Sequence, residues 1–211
     1  MMEVNGRSDF QRFLRSWIGS PLRVGAIAPS GASLARLITS EISEMSGPIL
    51  ELGAGTGVFT RALIDRGVDE SDLTLVEYGS DFARLLDLRF PKARVLWMDA
   101  FQLTRYKLFG LEGAGAVISD LPLLSMPPRK VIAILSGAFM HLRIGGALYQ
   151  FTYGPRCPIP RTILDRLGLK AVRIGGTMRN LPPAAVYRIT RRCSFEWRRR
   201  MPALPPQVPM R

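Results

Sequence analysis

A four-residue apolar run ends at three glycines spaced two apart in ILELGAGTGVF (49–59), and a helical pattern follows at once. A strand that passes through a glycine turn straight into a helix is the opening unit of a doubly wound α/β sheet. Ligands gather there, at the C-terminal ends of the strands. Glycine lets a ligand approach the main chain, and the following helix offers free N–H groups. The chain then repeats the theme. Apolar runs at 49–52, 73–77, 94–98, 115–119 and 147–153 alternate with helical patterns near 57–66, 80–89, 129–142 and 160–167. The runs are short, continuous and rich in Val, Ile and Leu, as expected of parallel strands covered on both faces. The segments 169–180 and 184–192 follow each other with no helix between them and read as an antiparallel hairpin closing the sheet. Ahead of the sheet, 31–45 reads as a helix capped near Ser30, with Leu34, Leu37, Ile38 and Ile42 on one face.

Composition sets the outer limits. A chain of 211 residues, 47% hydrophobic, is expected to form one globular domain with short appendages. Cys157 and Cys193 stand in no metal-ligand or redox spacing, and His141 is the only histidine. No metal is therefore expected, and all three read as ordinary packing or surface residues. The longest apolar stretch, 131–142, is too short to span a membrane and fits a buried helix, and the N-terminus carries no cleavable signal pattern. The expected location is the cytoplasm. The net charge of +12 is unevenly spread: residues 156–211 hold thirteen Lys and Arg against Asp165 and Glu196, whereas residues 31–155 are close to neutral. Such a patch suits a polyanion, either nucleic acid or an anionic membrane surface.

Three acids mark the expected crevice. Glu51 lies two residues before Gly53, Glu77 ends the second strand, and Asp99 ends the third. A dinucleotide fingerprint would need glycine at 58, where the chain has Val58. A carboxylate at 51 suits a cationic ligand better than a pyrophosphate. Glu77 stands where an acid accepts hydrogen bonds from both ribose hydroxyls, and Asp99 where an adenine amino group could donate.

LELGAGTG, an acid at the second strand end and MDA at the third together resemble the class I methyltransferases that use S-adenosylmethionine, over about residues 30–192. The resemblance implies a Rossmann-like α/β fold, a seven-stranded, mostly parallel sheet with an antiparallel C-terminal hairpin and N-terminal helices. It also implies S-adenosylmethionine as cofactor, S-adenosylhomocysteine as product, and no metal. Glu51, Gly53, Gly55 and Gly57 would hold the methionine part, and Glu77 with Tyr78 the ribose side. Asp99 and Ala100 would take the adenine, and Ser119 would line the site.

The end of the fourth strand, ISDLPLLSMPP (118–128), is the expected catalytic wall. Adenine-N6 methyltransferases carry a polar residue, one or two prolines and a stacking aromatic at this place. Here the order is Asp120-Leu121-Pro122-Leu123, so a flat base loses its platform while a flexible alkylamine loses nothing. With FLRSWIGSPLRVGAIAPSG, LTLVEYGSDFARLL, YQFTYGPRCP and RNLPPAAVYRI, the chain is similar to small bacterial phospholipid N-methyltransferases, relatives of the ribosomal RNA adenine dimethyltransferases. That likeness implies methylation of phosphatidylethanolamine toward phosphatidylcholine. The alternatives are another amino lipid, such as an ornithine lipid, or RNA adenine. Asp120 is the expected acceptor or orienter of the amine. Tyr153 is expected to offer its ring to the methylated ammonium, with Tyr149 and Phe151 in the core.

A lipid substrate requires a membrane surface. Phe10, Phe13, Leu14, Trp17 and Ile18 fall on one helical face, with Arg12 and Arg15 beside it. Residues 1–30 are therefore read as an amphipathic docking segment for anionic lipid, 31–192 as the methyltransferase domain, and 193–211 as a basic, Pro-rich tail. The expected protein is a monomer on the inner face of the cell membrane, with nucleic acid an unlikely partner.

Overall fold

The computed structural model describes residues 29–154, 156–177 and 183–192. The 10–18 stripe, Cys193, Phe195, Trp197 and the Pro-rich tail lie outside these residues. Twelve regular elements follow in chain order. They are α1 (Pro29–Ile38), β1 (Ile49–Leu52), α2 (Val58–Ile64), β2 (Leu73–Glu77), α3 (Ser80–Arg89), β3 (Arg94–Trp97) and β4 (Ala114–Ser119), then α4 (Pro128–His141), β5 (Leu142–Tyr153), α5 (Arg161–Arg166), β6 (Leu169–Thr177) and β7 (Ala184–Arg191).

All seven strands form one sheet in the order β3-β2-β1-β4-β5-β7-β6. The first five run parallel, and β7 pairs antiparallel with both β5 and β6. Period-2 alternation sends successive side chains to opposite faces. Ile49, Leu73, Leu75, Ala116, Ile118, Tyr149 and Val186 pack with Leu34, Ile38, Phe59, Leu63 and Leu86 of α1, α2 and α3. Leu50, Leu52, Val76, Val117, Leu148 and Ile189 pack with Ile134, Leu135, Ala138, Ile163 and Leu164 of α4 and α5. Two layers of helix around one sheet is the expected class.

Three local expectations need correction. The first helix ends at Ile38, not 45. Thr39 turns its hydroxyl back onto the Ala35 carbonyl at 2.8 Å and accepts from Arg66 Nε at 3.0 Å, so a polar side chain competes for the ladder where the helix would continue. Ile42 still reaches the core from the turn that follows. Second, β5 begins at Leu142, directly after α4, rather than at 147; Gly145, at φ +83°, and a register shift beside Ala114 and Ala116 absorb the extra residues. Third, β3 is an edge strand only partly covered, with Val95 and Leu96 half-buried against opposite faces of the core, and Trp97 is 70% exposed. The stretch of α4 from Val131 on is a buried helix, as expected: Val131, Ile134, Leu135, Ala138 and Phe139 lie in the core, and only Met140 is exposed. His141 is buried, its Nε2 3.2 Å from the Leu103 carbonyl oxygen, and Cys157 packs half-buried against the core. Among the described residues no helix is long and apolar enough to cross a membrane, and no group of His, Cys, Asp and Glu is placed to hold a metal ion.

Candidate active site

The parallel strands β1, β2, β3 and β4 bring Glu51, Glu77, Trp97 and Ser119 to one edge of the sheet. From β1 the chain turns through Gly53, Gly55 and Gly57, all with positive φ (+76°, +53° and +81°), and Gly57 caps α2. The three glycines serve different ends. A Cβ on Gly57 would sit 2.3 Å from Phe90 Cε2, and one on Gly53 would sit 2.9 Å from Leu121 Cδ2. The Phe90 ring requires glycine at 57, while at Gly53 the near atom is the tip of a leucine side chain and the positive φ is what favours glycine. A Cβ on Gly55 would meet nothing nearer than 3.9 Å, so it is there that the main chain stays open.

This division gives a paired prediction. Gly57→Ala combines left-handed strain with an overpacked ring contact and is expected to cost about 2–4 kcal/mol of stability. Gly55→Ala should cost about 1 kcal/mol and act instead on cofactor affinity. Denaturant unfolding and calorimetric titration of both variants separate the two roles.

Glu77 ties the loop down. Its Oε2 accepts from the Gly55 N–H at 2.9 Å and its Oε1 from the Gly79 N–H at 2.7 Å. Arg89 holds the far side of the loop, donating to the Thr56 carbonyl at 2.8 Å. Tyr78 is 74% exposed, and its carbonyl accepts from Trp97 Nε1 at 2.9 Å.

Glu51 is 1% exposed. Thr60 donates its hydroxyl to Oε2 at 2.7 Å, while Oε1 has no partner. Burial pushes its carboxyl up to about 8, against the opposing pull of Thr60 and with a small contribution from the Glu77 charge. Asp120 lies just past the end of β4, its N–H donating to the Leu52 carbonyl at 2.9 Å. No described residue donates to its side chain, and it caps no helix. Burial first, then the charges of Glu51 and Glu77, push it well above the usual carboxylate range. Tyr153 faces the same group from the end of β5: burial and then the Asp120 charge raise its phenol, and its ring packs edge-on against Phe151 at 5.5 Å. Tyr149 and Phe151 lie on the core side as expected, Tyr149 donating to Glu41 at 3.1 Å.

Other expected site residues are placed differently. Asp99 caps the 3-10 turn Ala100–Arg105, accepting from the Phe101 N–H at 3.0 Å, and pairs with Lys130 at 2.9 Å. Burial works to raise its carboxyl, but the Phe101 N–H and the Lys130 ammonium outweigh it and hold it below the ordinary range. Ala100 turns its methyl into the core, so only its main chain is left for a ligand. Ser119 is buried and receives the Leu121 N–H at 3.4 Å, supporting the turn. Leu123 is 3% exposed and packs among core residues. The wall lacks a stacking platform there because the position points inward; Leu124 is the exposed neighbour.

Sequence reasoning passed over three residues. Thr60 and Lys130 become visible only through the contacts just described. Gln150 left a trace, being a polar interruption in ALYQFTY. It is 1% exposed and donates from Nε2 to the carbonyls of Leu121 at 3.0 Å and Phe151 at 2.8 Å, bracing the wall from β5.

Sheet order, glycine turn and acidic crevice together define the class I methyltransferase fold. The chain belongs to the family of the ornithine lipid N-methyltransferase of Singulisphaera acidiphila, to which it is 31% identical over 193 residues, 85% of this chain and 94% of that protein. It is also 38% identical over 77 residues to ribosomal RNA small subunit methyltransferase A of Parabacteroides distasonis, a match covering 36% of this chain and 27% of that one. No family model matches. Among solved structures, the glycopeptide N-methyltransferase MtfA aligns with a TM-score of 0.59 at 14% identity, over 77% of this chain and 90% of that one. Its complex with S-adenosylmethionine aligns at 0.56, also at 14% identity, over 77% and 95%. At that identity the likeness carries the fold alone.

The residues fit the cofactor on three counts. Glu51 has a buried oxygen with no partner, the Gly55 main chain is open, and Glu51, Glu77 and Asp120 act on one another with no Lys or Arg among the described residues paired to them, as suits a ligand bearing a sulfonium and an ammonium.

Proposed function

We propose that this enzyme transfers methyl groups from S-adenosylmethionine to the amine of a membrane amino lipid, with ornithine lipid and phosphatidylethanolamine as the two head groups of choice. The observation that carries this reading is the match, along nearly the whole of both chains, with an enzyme named for N-methylation of an ornithine lipid. Phosphatidylethanolamine enters through the resemblance of segments spread along the chain, among them LTLVEYGSDFARLL, YQFTYGPRCP and RNLPPAAVYRI, to the small bacterial phospholipid N-methyltransferases. The two head groups share an aliphatic amine.

The bound cofactor supplies an electrophilic methyl on sulfur. The chain's task is alignment and removal of one proton from the substrate ammonium. Asp120 would accept that proton, freeing the nitrogen lone pair for the methyl group that the cofactor would supply, while the sulfur would leave with the S–C electron pair. Gln150 keeps the Leu121 peptide fixed so that the wall holds its shape. Tyr153 presents its ring beside Asp120, where a cation–π contact of about 0.5–2 kcal/mol would favour the methylated ammonium.

The test offers one labelled cofactor to three acceptors: liposomes with phosphatidylethanolamine, liposomes with ornithine lipid, and RNA. Label is expected in lipid, and label in RNA alone would end the proposal. We place the enzyme peripherally on anionic membrane through Phe10, Phe13, Leu14, Trp17 and Ile18 with Arg12 and Arg15. Phe13→Glu with Trp17→Glu is expected to abolish co-sedimentation with anionic liposomes and leave cofactor binding unchanged. Membrane association that survives would make the stripe structural.

A further inference from the structure

We infer that the crevice holds protons on Glu51 and Asp120 when empty, and that the incoming cofactor expels them, so that Asp120 becomes a base only once the methyl donor is seated. The inference rests on the role given to Asp120 above and adds an order of events to it.

The argument begins with donors. Glu77 receives two main-chain N–H groups, Glu51 the hydroxyl and the main-chain N–H of Thr60 on one side only, and Asp120 none from any described residue. No Lys or Arg among the described residues pairs with any of the three; Lys130, on α4, is taken by Asp99. The groups acting on Asp120 are Glu51 from β1 and Glu77 from β2, with the Tyr153 phenol facing it from β5. Glu51 in turn faces Glu77 and, from α2, the Thr60 hydroxyl. Every neighbour is therefore acidic or neutral. Glu51 is buried with one oxygen unpartnered, and Asp120, half-buried, has neither donor nor cation among the described residues; carboxyls so placed keep the proton rather than the charge, and the directions for both agree with that.

S-adenosylmethionine brings two positive charges and one negative. Glu51 would hold its ammonium and Asp120 would face its sulfonium, and the displaced protons would pass to solvent. Asp120, now ionised, takes a proton from the substrate ammonium. When the N–C bond forms and the S–C bond breaks, its electron pair stays on sulfur, the positive charge passes to the methylated nitrogen, and Asp120 is left protonated. An amine that arrives before the cofactor meets a protonated Asp120 and is not activated.

Calorimetric titration in two buffers of different ionisation enthalpy, at about pH 7, counts the protons released. We expect S-adenosylmethionine to release about one proton more than S-adenosylhomocysteine, which lacks the sulfonium but keeps the ammonium. Glu51→Gln should lower the release by both ligands, and Asp120→Asn should erase the difference between them. Between about pH 6 and 7.5, below the titration of the cofactor's own amino group, affinity should rise with pH, up to about a hundredfold per unit for S-adenosylmethionine and about tenfold for S-adenosylhomocysteine. Equal release by the two ligands, or none from either with binding intact, would overturn the inference. Proton release that persists while no lipid is labelled would remove the substrate reading and leave this one standing.

Discussion

Glu77→Ala is expected to weaken S-adenosylmethionine binding by about a hundredfold or more while the protein stays folded. The carboxylate holds two main-chain N–H groups, at 2.9 Å on Gly55 and 2.7 Å on Gly79, so its loss frees the glycine turn and the turn after β2 together. Hydrogen bonds to a charged group are worth about 1.5–3 kcal/mol each, and every 1.4 kcal/mol is tenfold in affinity. The ribose contacts assigned to the same oxygens go with them. Glu77→Gln is the informative companion: its amide can accept one of the two N–H groups but must point a donor at the other, so it should recover only part of the loss. Calorimetry measures both variants, and thermal unfolding checks the fold. Wild-type affinity in Glu77→Ala would take the residue out of the cofactor site.

The second large effect concerns Glu51, where stability and function are expected to move in opposite directions. Its folded carboxyl titrates at about 8 against 4.5 for the unfolded chain. Below the lower value both states carry the proton and stability does not change on this account. Between the two values the folded state still holds the proton that the unfolded chain has released. Stability therefore falls as pH rises through that window, by about 1.4 kcal/mol per unit for a full one-proton difference, and levels off above the folded value. Glutamine cannot ionise. Glu51→Gln should match the cofactor-free wild type near the bottom of the window, exceed it by several kcal/mol near the top, and bind S-adenosylmethionine more weakly throughout. Denaturant unfolding at several pH values tests the slope. Parallel pH profiles in the two proteins would show that Glu51 is not the group responsible, although Asp120 leaves a residual slope of the same sign in both.

The sheet was largely legible because its strands announce themselves as short apolar runs. Those of β1 and β2 match residue for residue, and β3 ends one residue early where Trp97 turns outward. Errors arose where a side chain or a glycine overrode periodicity: at Thr39, whose hydroxyl stops α1, and at Gly145, which lets β5 start before its apolar stretch. The site was legible in outline for a related reason. A glycine turn and strand-end acids occupy fixed places in a parallel sheet, so position in sequence translates into position in space. Which acid stays available did not translate. Asp99 is capped by Phe101 and paired with Lys130, 31 residues on, while Asp120 is left without donors; both facts depend on contacts that no spacing encodes. The same holds for Gly57, whose need for glycine comes from the Phe90 ring at the end of α3.

The position of β7 has a consequence for how the chain is made. It lies between β5 and β6, yet it leaves the ribosome after both. Until residues 184–191 emerge, β5 has a bare flank and β6 has no partner in the sheet, so the nascent chain waits with its backbone unpaired beside the catalytic wall. Closure then comes in one late insertion that knits both neighbours at once. Chaperone capture during synthesis should be strongest in that interval, and ribosome-bound chains stalled just before it should be cut by protease within β5.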